Sequence, residues 1–156
     1  MIKIVKAEES HIPDICKLWL EFMQYSADID PIFETRDGAI PVFGKEYLCP
    51  AMKSDNSLVL VALDGEKVVG YSYSLISELS RLEKRKQYGC VHDLFITADY
   101  RRQGIGEKMY AEILKWFYAN DIDRVELQVM AQNKVACSFW KKHGYRDFQN
   151  TLCREL

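Results

Sequence analysis

The stretch from Val91 to Met109 limits the possible folds most, because it reads as a strand, a short loop and a helix with nothing between them. Gly89 to Thr97 has the composition of a strand, the chain turns at Ala98-Asp99, and Ile105 to Asn120 carries Ile105, Met109, Ile113, Trp116 and Phe117 on one helical face. A further strand, Val125 to Met130, follows. A strand–helix–strand run is a crossover that sets its two strands parallel, so the sheet is expected to contain a parallel pair.

The rest of the chain fits around that unit. Ile2, Ile4 and Val5 read as a first strand, and Ser10 is placed to cap a helix bearing Ile12, Ile15, Leu18, Trp19 and Phe22 at helical spacing. Pro13 falls near the start of that helix, where a missing N–H costs little. From Ala27 to Asn56 the periodicity fails at Asp30-Pro31, Asp37-Gly38, Pro41, Gly44 and Pro50, leaving room only for short helical pieces around Lys45 to Met52. Ser57 to Leu63, the turn Asp64-Gly65 and Lys67 to Ile76 form a hairpin. The charged run Arg81, Lys84, Arg85 and Lys86 reads as a solvated loop. Asn133 to His143 is the last helix, stopped by Gly144, and Tyr145 onward is expected to return as one or two antiparallel strands. A chain of 156 residues with 48% hydrophobic content suits one domain over residues 1–156, without a linker.

Charge and cysteine usage narrow the partners. With a formal net charge of −2, nothing in the overall balance points to a polyanionic partner, so no nucleic-acid role is expected. Met1 to Lys6 lacks the apolar core of a signal peptide, and runs such as Leu58 to Leu63 are too short to span a bilayer, so no membrane partner is expected. Cys16, Cys49, Cys90, Cys137 and Cys153 are odd in number and contain no C-x-x-C pair, which fits reduced thiols in a cytoplasmic protein. His11, His92 and His143 lie far apart without zinc spacing, and no metal is expected.

The loop before the long helix is where chemistry is expected. N–H groups at a helix start are unpaired and carry the positive end of the dipole, and Gly104 and Gly106 remove side chains that would block a phosphate. A dinucleotide fingerprint fails because Met109 stands where its third glycine or alanine belongs. A P-loop fails because Glu107 follows Gly106 in place of lysine.

What remains, Arg101-x-x-Gly104-x-Gly106 after a strand, resembles the GNAT superfamily of acetyl-CoA-dependent acyltransferases. The resemblance spans nearly the whole chain through the early helix, the hairpin ending in Val68-Val69-Gly70-Tyr71, the arginine–glycine loop, Asn133 before the last helix, and Phe139-Trp140-Lys141-Lys142-His143-Gly144-Tyr145. It implies an α/β (α+β) fold with a mixed, mostly antiparallel central sheet flanked by helices and the parallel unit at the acetyl-CoA site. It further implies that Leu94, Phe95 and Ile96 pair through their backbone with the pantetheine arm, and that one N–H there holds the thioester oxygen. By the same resemblance Arg101, Arg102, Gln103, Gly104, Ile105, Gly106 and Glu107 cradle the pyrophosphate, and Asn133 contacts the pantetheine or its diphosphate end. Many members carry a tyrosine that protonates the leaving thiolate where this chain has Trp140, and an indole does not give up its proton near neutral pH. Tyr145 or a water is the candidate substitute.

An alkyl ammonium must lose a proton before it attacks. His92 and Asp93, next to the thioester strand and at the place where polyamine-acetylating relatives carry paired carboxylates, are the candidate base or relay, with Glu78 a further option. Acidic residues at Glu21, Asp28, Asp30, Glu34, Asp37 and Glu46 suggest a cationic acceptor, and Tyr25 and Tyr47 are candidate pocket walls. The expected activity is transfer of acetyl from acetyl-CoA to a primary amine of a small, polyamine-like or amino-acid-like molecule. A protein or peptide acceptor, and a non-catalytic acyl-CoA-binding sensor domain, are the alternatives. Relatives often pair through their C-terminal strands, and Thr151 to Leu156 is a candidate edge strand, so a homodimer is a candidate assembly.

Overall fold

The computed structural model describes residues 1–80 and 82–156; Arg81, one residue of the charged loop, lies outside the described residues. Five strands form one sheet in the order β1 (Ile2–Lys6), β2 (Ser57–Asp64), β3 (Lys67–Glu78), β4 (Gln87–Ile96) and β5 (Val125–Glu126). The first four are antiparallel neighbours, and β5 runs parallel to β4. The fold is thus mixed α/β with a mostly antiparallel sheet and one parallel crossover.

Alternation along β2 divides the core. Val59 and Val61 face α1 (Ile12–Ala27) and α3 (Cys49–Lys53), joined there by Val68, Tyr71 and Phe95, with Ile15, Leu18, Leu48 and Ala51 packed over them. Leu58, Leu60 and Ala62 face the opposite way, toward Ile105, Met109, Ile113 and Phe117 of α4 (Ile105–Ala119) and Trp140 of α5 (Lys134–Lys142). The period-two pattern of a strand buried on both faces explains why β2 is apolar almost throughout.

The crossover demands a close approach at Gly89. A methyl group there would lie 2.5 Å from Phe117 Cε1, inside any real carbon–carbon contact. Gly89→Ala is therefore expected to lower unfolding free energy by about 1–3 kcal/mol through overpacking, read from urea denaturation. A change below about 0.5 kcal/mol, the range of ordinary surface substitutions, would contradict the tight packing of α4 on β4.

Several local expectations change. Glu8 and His11, rather than Ser10, make the capping contacts at the turn that leads into α1, and Pro13 sits in its first turn. The segment expected to be irregular holds a continuous helical run: α2 (Ala39–Val42), a π-helical stretch Phe43–Leu48, then α3. Phe43, Leu48 and Ala51 are buried, and Phe43 stacks on Trp19 with centroids 4.5 Å apart, so packing against α1 overrides the breakers. The strand expected over Val125 to Met130 is reduced to Val125–Glu126, and no strand forms from Tyr145 onward among the described residues. The candidate edge strand Thr151 to Leu156 is an exposed, irregular tail. Gly144 does end α5 in the left-handed conformation, at φ 85°.

Candidate active site

The site lies where β4 loses its neighbour. Among the described residues β5 pairs with β4 only at Gly89–Val125 and Cys90–Glu126, and beyond Cys90 no strand lies beside that edge of β4. Thr97 N–H bonds Val69 O on β3. Backbone groups alternate in direction along an antiparallel strand, so the N–H and C=O of Leu94 and Ile96 point to the open edge. Phe95 does the opposite: it lies across from Tyr71 in the β3–β4 ladder, and its oxygen approaches the Gly70 position. Of the three residues expected to offer backbone groups there, Leu94 and the N–H of Ile96 face that edge, the Ile96 carbonyl is taken by Arg101 Nε, and Phe95 serves the ladder and the α1-side core.

The arginine–glycine loop adjoins that edge. Arg102 and Gly104 both take left-handed conformations, at φ 63° and 75°. Among the described residues no backbone or side-chain acceptor receives the N–H of Arg102, Gln103 or Gly104. Ile105, Gly106 and Glu107 begin α4, where N–H groups have no intrahelical partner. A Cβ at Gly104 would meet nothing within 4 Å. Consecutive free amides at a helix start beside open space fit the phosphates of coenzyme A.

The side chains here serve the protein. Arg101 Nε donates to Ile96 O at 2.8 Å, and its guanidinium lies 5.3 Å from the Tyr25 ring and 5.2 Å from the Phe95 ring, so it braces the end of β4. Gln103 donates to Asp99 O. Glu107 receives Lys142 Nζ at 2.6 Å, with His143 Nε2 2.9 Å away but not aligned as a hydrogen bond. The Lys142 hydrogen bond, with the charge of His143 behind it, holds the Glu107 carboxyl below its ordinary value. Asn133 caps α5 by accepting Ala136 N–H at 3.1 Å, and Tyr25 OH reaches the same oxygen at 3.4 Å. Tyr25 thereby links α1 to the start of α5.

At His92 the β3–β4 register shifts: Tyr73 pairs with Asp93, but Ser74 pairs with Val91. His92 is thus the extra residue of a β-bulge. Successive side chains on a strand normally point to opposite faces. The bulge suspends that rule and brings His92 Nδ1 to 3.2 Å from Asp93 Oδ1. Asp93 is buried, and its other oxygen accepts the hydroxyl of buried Tyr71 at 2.9 Å. The His92 side chain is 57% exposed. Its ring lies 5.3 Å from that of Tyr73, and the hydrogen bond to Asp93, against some desolvation, raises its pKa above the ordinary 6.5.

Trp140 is core: it is 9% exposed and meets Tyr110 and Tyr145 edge to face, with centroids at 5.4 and 5.3 Å. Tyr110 donates to the Tyr145 hydroxyl at 2.9 Å. Burial pushes the Tyr145 phenol far above its usual value, which makes it a poor proton donor to a leaving thiolate.

The acidic residues expected to face the acceptor divide. Glu21 accepts Thr97 Oγ1 at 3.0 Å and Ala98 N–H at 3.4 Å, fixing the turn after β4, and Asp30 accepts Ile32 N–H. Asp28 and Glu34, with Met23, Gln24 and Phe33, line a hollow of about 320 Å³ at the end of α1. Another of about 410 Å³ lies between α1 and the helical run, lined by Ile12, Cys16, Ile40 and Cys49. Neither includes β4 or the arginine–glycine loop. Tyr47 is half exposed. Among the described residues no group of three or more His, Cys, Asp and Glu side chains is placed to hold a metal ion.

Sequence reasoning missed Tyr71 as part of this cluster, since its contact with Asp93 spans 22 residues of chain. The signal for the bulge was present: His92 and Asp93 are adjacent polar residues that interrupt the pattern between Val91 and Leu94.

A sheet edge left open beside a helix start with free amides is the arrangement that the resemblance to the GNAT superfamily implies. A model of the Acetyltransferase (GNAT) family matches residues 13–145, and the chain belongs to that family. It is 29% identical over 96 residues to an uncharacterized N-acetyltransferase of Methanocaldococcus jannaschii, an alignment covering 62% of this chain and 42% of the relative. It is 24% identical over 106 residues to streptothricin acetyltransferase A of Bacillus subtilis, covering 66% of this chain and 61% of that one. The chain thus spans about half the length of these two relatives. The tetramutant of the BH1408 protein of Bacillus halodurans superposes with a TM-score of 0.86 at 23% identity over 99% of both chains, which shows a shared fold. No helix among the described residues is long and apolar enough to cross a membrane.

Proposed function

We propose that this acetyltransferase moves the acetyl group of acetyl-CoA onto a primary amine of a small molecule, with His92, backed by Asp93, accepting the proton from the incoming ammonium. The observation that carries this reading is the contact between the two side chains at the bulge, immediately before the open edge at Leu94 and Ile96. The relative named streptothricin acetyltransferase A, whose name gives a small-molecule acceptor, supports the same class.

Acetyl-CoA supplies an activated carbonyl and a thiol as its leaving group. The chain supplies the rest. Leu94 and Ile96 offer backbone groups along the β4 edge, and one N–H there is the donor for the thioester oxygen. The amides from Arg102 to Glu107 receive phosphate, with Arg101 bracing the loop against β4 and Asn133 at the head of α5 on the far side. Deprotonating an alkyl ammonium of pKa near 10.4 at pH 7 costs about 4–5 kcal/mol, and a base beside the reacting carbonyl offsets part of that. No general acid is required: a thiol of pKa near 8.5 leaves tolerably as thiolate, in keeping with a buried indole at 140 and a bonded phenol at 145. The five free cysteines support a reducing, cytoplasmic setting.

Released thiol, followed across polyamines, amino acids, aminoglycosides and lysine peptides with acetyl-CoA binding titrated in parallel, tests this. Turnover on one small-amine class is the expected result. Turnover confined to peptides would move the acceptor to proteins. Binding without turnover would make the chain a sensor, and no binding would remove the phosphate cradle.

A further inference from the structure

The contacts that end on His92 begin on the neighbouring strand. Tyr71 of β3 is wholly buried, and its hydroxyl donates to Asp93 Oδ2, while Asp93 Oδ1 faces His92 Nδ1. We propose that Tyr71 is a positioning residue for acetyl transfer: by holding one oxygen of Asp93 it aims the other at His92, which keeps the proton on Nδ1 and leaves Nε2 as the base. This rests on His92 being the proton acceptor, as proposed above.

A carboxylate held at one oxygen can swing about its terminal torsion, whereas one held at both cannot. The Asp93 carboxylate is an acceptor only, so the imidazole nitrogen facing it must be the protonated one. The neutral ring then carries its lone pair on Nε2. Packing alone does not require the hydroxyl, since the Tyr71 ring fills the α1-side core beside Phe95 and a phenylalanine would fill the same space. Burial and the neighbouring carboxylate push the Tyr71 phenol well above its usual value, so it remains a donor throughout the working range and takes no part in proton transfer.

The titratable groups facing this trio are few. Tyr73 on β3 touches the imidazole, Cys90 on β4 feels the Asp93 carboxylate, and Cys16 on α1 lies near Tyr71. Burial raises all three above their ordinary values, so none changes charge between pH 5 and 8 and His92 titrates against a constant background.

Tyr71→Phe keeps the ring and removes the hydroxyl. Nitrogen-15 and proton NMR of the His92 ring, with pH profiles of kcat, read the consequence separately from stability. The expected result is a neutral His92 divided between its two tautomers, a midpoint lowered by about half a pH unit, kcat reduced about tenfold and KM for acetyl-CoA changed less than about twofold. A midpoint that stays or rises with the proton still on Nδ1 would overturn the proposal, however much the melting temperature fell. Should the variant not fold, the unaltered protein decides: neutral His92 carrying its proton on Nε2 would equally overturn it. If His92→Gln leaves turnover intact, the base assignment fails, while the tautomer result still reports what Tyr71 does to the pair.

Discussion

Replacing His92 by glutamine lowers kcat at pH 7 by about 10²–10⁴-fold while leaving KM for acetyl-CoA within about threefold, because glutamine cannot accept a proton. The side chain is more than half exposed and glutamine can still donate to Asp93, so the variant is expected to remain folded and the loss of kcat is read as chemistry. The pH dependence adds a second signature. On the proposed role the working form is neutral His92, so kcat of the unaltered enzyme is expected to rise with pH through a midpoint above 6.5, since Asp93 raises that midpoint. A raised folded-state value means that the pair's contribution to stability is full below the unfolded value near 6.5 and fades as pH climbs through the folded midpoint. Rate and this contribution therefore move in opposite directions over the same window, and in His92→Gln both dependences flatten. Steady-state pH profiles and thermal melts check this; an intact acid limb with kcat within about threefold of the parent would end the base assignment.

Acetyl-CoA binding weakens on the order of 100-fold in Gly104→Val, where a β-branched side chain meets two obstacles. Gly104 has φ 75°, a conformation that costs a residue with a Cβ about 1–3 kcal/mol. The added group also projects into space where the protein has no atom within 4 Å, which is the space assigned to phosphate. Losing two charge-assisted hydrogen bonds at about 1.5–3 kcal/mol each accounts for a hundredfold or more. Gly38 is the matched control, because its φ is 76°, its Cβ position is equally empty, and it lies at the start of α2 rather than in the loop. Gly38→Val therefore shares the strain, read from urea denaturation, and keeps acetyl-CoA affinity, read by calorimetry. Equal loss of affinity in both variants would mean that strain, not a blocked cradle, is the cause.

The parts of this structure that short-range patterns dictate were readable in the chain. The Asp64-Gly65 turn, the helix from Ile105, the last helix after Asn133 and the stop at Gly144 each depend on residues within a few positions of one another, and each stands at the expected place. Val125 to Met130 alternates as a strand should, yet a strand exists only where a partner lies beside it, and β4 offers that for two residues. Pro41, Gly44 and Pro50 read as breakers because their local cost is visible and the burial of Phe43, Leu48 and Ala51 under α1 is not. Of the candidate site, the loop and His92 with Asp93 were legible as residue types. That Arg101 braces β4, that Glu21 fixes the turn after it, and that Tyr71 holds Asp93 are contacts across the fold that no periodicity encodes.

The bulge also separates what the sheet needs from what the chemistry needs. Tyr73 faces Asp93 and Ser74 faces Val91, so the ladder on either side of His92 would close into an unbroken register were that one residue absent. On the proposed role, a chain lacking it could keep the ladder pairs on both sides and would lose the proposed base. The pairing of the sheet and the proposed proton acceptor are thus set by different residues of one strand.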